Sequence, residues 1–161
     1  MSKADTQVSV AVPSWAVATQ GATDVRAYSG GETLVDKAEL AGKEFAVLAA
    51  ALRTSEENKR LIDGIMQPNE YVSVTCLLAN PIIHDGETVS LVVFNDGGSG
   101  IRPVIADHIA ANFNDAVRDE WLSFRTVKLN PAIWCRKGLR ASEYTYHGPN
   151  GDTKATTWYF G

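Results

Sequence analysis

The chain has 161 residues, 45% hydrophobic and 21% charged, which is enough apolar matter for one domain with a buried core and excludes a disordered or membrane-embedded chain. Its net charge of −4 and pI near 5.3 argue against a protein that coats duplex DNA through a broad basic surface, but they leave room for a narrow cationic track. Cys76 and Cys135 lie in apolar runs with no Cys or His at metal-ligand spacing, so reduced, buried thiols are expected, with no metal and no cofactor.

Residues 1–33 are small and polar, punctuated by Pro13, Gly21, Gly30 and Gly31, and read as an N-terminal arm. The apolar stretch within them is too short and broken for a signal peptide or a membrane span, which points to a cytoplasmic protein with no membrane partner. Trp15, Val17 and Tyr28 are too apolar for a free tail, so part of the arm is expected to pack on the domain or on a second copy, making a homo-oligomer. Residues 34–161 then form one β-rich domain.

Within that domain, Leu34 to Leu40 forms a short turn or helix closed by Gly42. Lys43 to Arg53 reads as a mostly buried strand, although its alanines also suit a helix. Thr54 to Asn69 is charged and ends in Pro68-Asn69, as in a solvent-facing connection with a helical turn or a mobile loop. Tyr71 to Leu78 alternates, which sends Val72, Val74, Cys76 and Leu78 to the core and Tyr71, Ser73, Thr75 and Leu77 to the other side. Turn chemistry at Asn80-Pro81 and His84-Asp85-Gly86 precedes a second β run, Thr88 to Phe94, giving an antiparallel pair. The Gly-rich NDGGSG, Asn95 to Gly100, feeds a helix whose Ile101, Val104, Ile105, Ile109 and Phe113 recur at helical spacing, with Pro103 in the first turn. Short strands follow at Phe124 to Leu129, Ile133 to Lys137, Glu143 to Tyr146 and Thr153 to Phe160. The expected class is α+β, mainly β: an OB-like, partly open antiparallel barrel or sheet with one principal helix, or a different α+β roll.

No element carries catalytic spacing. His84, His108 and His147 are scattered, and adjacent Asp107 and His108 face different sides of a helix. Ser99 lacks the outer glycine of a nucleophile elbow, so no enzyme activity is expected. NDGGSG lacks the Lys and Ser/Thr of a P-loop. It can still present backbone N–H groups of Gly98, Ser99 and Gly100 to an anion, with Arg102 completing the site, although a tight turn that starts the helix is the plainer reading.

The charges are segregated. Residues 118–161 hold seven Lys and Arg against four Asp and Glu, whereas the preceding residues hold eight against fifteen. The same stretch gathers most of the rings, and cations interleaved with flat rings are what a groove for single-stranded nucleic acid requires. The candidate stacking residues are Trp134, Tyr144, Tyr146 and Trp158, and the candidate phosphate contacts are Arg125, Lys128, Arg136, Lys137 and Arg140. Against this stands the plainer reading, in which rings on strands fill a core and the cations form a solvated face.

The segments LVDKAELAGKEFAVL, EYVSVTCLLA, VVFNDGGSGI and CRKGLRASEYTY, followed by ATTWYFG, resemble a group of small single-stranded DNA-binding proteins of OB-like fold encoded by actinobacterial phages and mobile elements. The likeness covers most of residues 34–161, with residues 54–69 and 111–123 resembling insertions. It implies non-catalytic binding of single-stranded DNA in phage replication or recombination, in the host cytoplasm. One departure is the C-terminus: many replication single-strand binders end in an acidic flexible tail, whereas TTWYFG has the composition of a packed segment. The alternatives are a phage structural, assembly or interaction protein that uses its arm and rings for subunit contacts, and a small-ligand binder built on NDGGSG and Arg102.

Overall fold

The computed structural model describes Trp15, residues 33–62 and residues 65–161, with residues 56–62, 65–68 and 146 described by their backbone. The expected arm thus lies outside the described residues, apart from Trp15 and Thr33. Among the described residues seven strands follow in chain order: β1 (Thr33–Leu34), β2 (Phe45–Ile62), β3 (Ile65–His84), β4 (Glu87–Asp96), β5 (Val127–Cys135), β6 (Leu139–Gly148) and β7 (Gly151–Phe160). A 3-10 turn, Lys37–Leu40, precedes β2, and two helices, α1 (Arg102–Asn112) and α2 (Asp115–Leu122), separate β4 from β5. One open sheet has the order β1-β4-β3-β2-β5, and β6 and β7 form a separate two-stranded ribbon. The class is α+β, mainly β, as the sequence indicates.

β2 is an interior strand, between β3 and β5, and every residue from Phe45 to Leu52 is buried. A strand covered on both faces shows no alternation, which is why its alanines leave helix open from sequence alone. On the front face Phe45, Val47, Val72, Val74, Cys76, Val92 and Phe94 meet Ile101, Ile105 and Ile109 of α1, Trp121 of α2 and Leu139 of β6. Phe45 meets Phe94 and Phe160 edge to face, with ring centroids 6.3 and 6.2 Å apart. The back face carries a smaller cluster, Ala46, Leu48, Ala49 and Ala132, against which Trp15, Leu77 and Leu91 pack. Part of the arm therefore does pack on the domain.

Several boundaries differ from the sequence reading. Residues 54–62 and 65–69 are not a loop. They prolong β2 and β3 into a long hairpin, paired from Thr54↔Glu70 to Ile62↔Ile65 with an irregularity between Ser55 and Lys59. A charged run lacks the apolar period that marks a half-buried strand, so its β structure leaves no trace in the pattern. Asn80-Pro81 lies within β3 near a register shift between Leu77 and Ile82, where a proline is tolerated. The turn is at Asp85-Gly86, both with positive φ, as a two-residue hairpin requires. Phe124 to Leu129 and Ile133 to Lys137 merge into the one strand β5, which runs through the cis Asn130-Pro131 bond. The strands are long rather than short, and β1 pairs parallel to β4, so the sheet is not purely antiparallel.

The expectation of one principal helix is also corrected, because α2 is a second helix. Asn114 caps it by accepting from the Val117 N–H at 3.1 Å, and Val117 and Trp121, four residues apart, turn to the core. α1 matches its predicted apolar stripe at Ile101, Ile105 and Ile109, while Val104 is exposed.

Candidate nucleic-acid interface

The Gly-rich segment follows a strand whose inward positions are Val92, Phe94 and Asp96. The last of these brings a carboxylate into the core, where Lys37 Nζ donates to Asp96 Oδ1 at 2.7 Å; Asp96 Oδ2 has no hydrogen-bond partner. A buried carboxylate without partners would be costly, so this ion pair fixes the root of the loop to the 3-10 turn. Gly100 is buried against β7: a Cβ there would fall on the Trp158 carbonyl oxygen and the Tyr159 ring. It serves close packing and is not among the residues lining the adjacent cleft.

Gly98, Ser99 and Arg102 do line that cleft, of about 410 Å³, together with Asn69 and Glu70 of β3, Tyr144 of β6 and Thr156 and Thr157 of β7. It lies between the root of the β2–β3 hairpin and the β6–β7 ribbon. Tyr144 is 51% exposed, and the Arg102 guanidinium pairs with Glu70 Oε1 at 2.9 Å, both side chains being partly exposed. A second groove of about 350 Å³, lined by Ser55, Asn69, Tyr71, Asn95 and Gly97, shares Asn69 and Gly97 with the first. The two adjoin at these shared residues, at the end of the sheet. Chemically, this track offers two phenol rings, one guanidinium with a competing carboxylate, backbone N–H groups, amides and hydroxyls.

The remaining predicted residues are dispersed. On the ribbon, Arg140↔Tyr159, Tyr144↔Ala155 and Tyr146↔Thr153 share one face by register; the side chain of Tyr146 lies outside the described residues. Ala141↔Trp158 and Leu139↔Phe160 hold the other face, and Trp158 packs on the front core with Lys37 Nζ 5.9 Å from its ring centre. Trp134 is opposite Ala46 on the back face, donates its indole N–H to Glu44 Oε2 at 2.7 Å, and is covered by Arg136 at 5.5 Å. Arg140 lies over Tyr159 at 4.6 Å. Rings and cations alternate in the sequence partly because they stack on one another within the chain. Lys137 is exposed in the β5–β6 turn, Arg125 is exposed before β5, and Lys128 lies opposite Ala49 on the back face.

Sequence reasoning missed Asn69, Glu70, Tyr71, Asn95, Thr156 and Thr157. Only Tyr71 carried a signal, since alternation already sent it away from the core. Among the described residues no cluster of three or more His, Cys, Asp or Glu could hold a metal ion, and no helix is long and apolar enough to cross a membrane. No protein-family model matches the chain, and no curated protein or solved structure proves similar to it.

Proposed function

We propose that this chain is a non-catalytic single-stranded DNA-binding protein of OB-like type that serves phage replication or recombination. The observation that carries the reading is a pair of adjoining grooves that share Asn69 and Gly97, one lined by Tyr71 and Asn95 and the other by Arg102 and Tyr144. Flat phenols suit bases, and Arg102 with the Gly98 and Ser99 backbone suits phosphates. The topology supports the same reading. β2, β3 and β4 meander, helices intervene, and β5 returns to the far side of β2, the arrangement expected of the first four strands of an OB barrel. In that fold the second and third strands and the loop between the first and second bind oligonucleotides; here these are β3, β4 and the β2–β3 hairpin, which border the groove.

The test is titration of the full chain with a labelled oligo-dT of a few tens of nucleotides at low and moderate salt, with a duplex of equal length beside it. Binding to the single strand that weakens as salt rises is the expected result. Absence of binding at low salt overturns the reading and leaves an assembly or interaction protein.

A further inference from the structure

Tyr71 of β3 lines the second groove and is opposite Arg53 of β2; Ser55, two residues further along β2 and on the same face, lines that groove too. Arg53 is exposed. The β2–β5 ladder stops at Ala50↔Val127. Beyond it the Arg53 guanidinium holds the chain that enters β5, donating to the Phe124 carbonyl at 3.5 Å and to Thr126 Oγ1 at 3.4 Å. Arg53 thus stands between Tyr71 on the β3 side and Phe124 on the β5 side, two strand spacings or about 10 Å apart.

Phe124 is held in a conformation that a bulky side chain disfavours. Its N–H donates to the Trp121 carbonyl and that of Arg125 to the Glu120 carbonyl, closing α2 with Phe124 at φ +62°, the position and the left-handed conformation in which glycine is usual. Burial does not explain the ring, because Phe124 is 39% exposed. A glycine would close the helix with less strain, and outliers of this kind collect at binding sites.

We propose that Arg53 and Phe124 extend the DNA-binding track beyond the groove: DNA that stacks a base on Tyr71 passes a phosphate over Arg53 and stacks a further base on Phe124. The inference rests on the function proposed above and adds to it a stacking site in the connection between α2 and β5. The order ring, guanidinium, ring matches the order base, phosphate, base of a single strand laid across the end of the sheet.

The experiment compares the full chain with Phe124→Gly and Arg53→Gln, each titrated with labelled oligo-dT at several salt concentrations and unfolded in urea. Phe124→Gly should bind at least about fivefold more weakly, the loss of one stacked base, while its urea midpoint stays equal or rises because the left-handed strain is relieved. Arg53→Gln should make the slope of log affinity against log salt shallower by about one. Unchanged affinity in Phe124→Gly, or an unchanged slope in Arg53→Gln, with the parent still binding, overturns the extension and leaves the DNA-binding reading intact. A Phe124→Gly chain that unfolds at lower urea marks the ring as a structural one and overturns the extension as well. No binding by the parent overturns both.

Discussion

Gly138 leaves no space for a side chain. Its φ is +66°, and a Cβ would strike the backbone of Leu40 and Lys43, where the β5–β6 turn crosses the start of β2. Gly138→Ala should therefore destabilise the fold by about 3 kcal/mol or more, measured by denaturant unfolding. In the cleft, Glu70 competes with any phosphate for Arg102. Glu70→Gln should tighten oligo-dT binding several-fold and Arg102→Ala should weaken it, and opposite signs for the two partners of one ion pair distinguish a ligand site from a merely structural bridge. A second pair sets a pH window. His84 Nδ1 donates to Glu39 Oε1 at 2.8 Å, which raises the histidine above its usual 6.5 and lowers the carboxyl below its usual 4.5. Glu39's contribution is present above 4.5 and fades as pH falls through its lowered folded value. His84's contribution is fully present below 6.5 and fades as pH rises through its raised folded value. The melting-temperature difference between the parent and His84→Ala should accordingly be largest between these values and shrink on either side. Burial pushes the Cys135 thiol up to about 12 and Cys76 well above its usual range, so a disulfide-exchange reagent should label neither in the native chain and both after unfolding.

Among the elements, the ribbon divides rings by role. Tyr144 faces the cleft, whereas Trp158 and Phe160 anchor the ribbon to the front core. Tyr144→Ala should cost about 1–3 kcal/mol of binding to oligo-dT with little loss of stability. Trp134→Ala should do the reverse, because its indole is held by Glu44 and covered by Arg136. The sequence made legible the elements whose one buried face leaves a period: the alternation of β3 from Tyr71 to Leu78, the four-residue spacing of α1, and the Asp85-Gly86 turn. It hid those without a one-sided boundary, namely β2 buried on both faces and the charged extension of the β2–β3 hairpin. α2 was legible in principle through Asn114, Val117 and Trp121, but an eight-residue helix with four charged residues leaves only a short apolar stripe. Part of the candidate site was readable, because Gly98, Ser99, Arg102 and Tyr144 do converge. Which rings stay open was not readable, because a cation beside a ring in sequence is equally a partner stacked on it.

For the molecule as a whole, an acidic chain that binds a polyanion must do so through a local track. The slope of log affinity against log salt should therefore be shallow in absolute terms, about one or two phosphate neutralisations, rather than the slope of a protein wrapped in DNA. Fluorescence-anisotropy titrations at several salt concentrations measure it. Viewed mechanically, the β6–β7 ribbon is a beam clamped at one end. Beyond Trp158 it runs seven residues of β7, about 24 Å, so a tilt of about 10° at the clamp carries its tip by about 4 Å. The clamp is the packing of Trp158 and Phe160 on the core together with the contact of Gly100 with the Trp158 backbone, and Tyr144, opposite Ala155 three residues beyond Trp158, moves by about 2 Å under the same tilt.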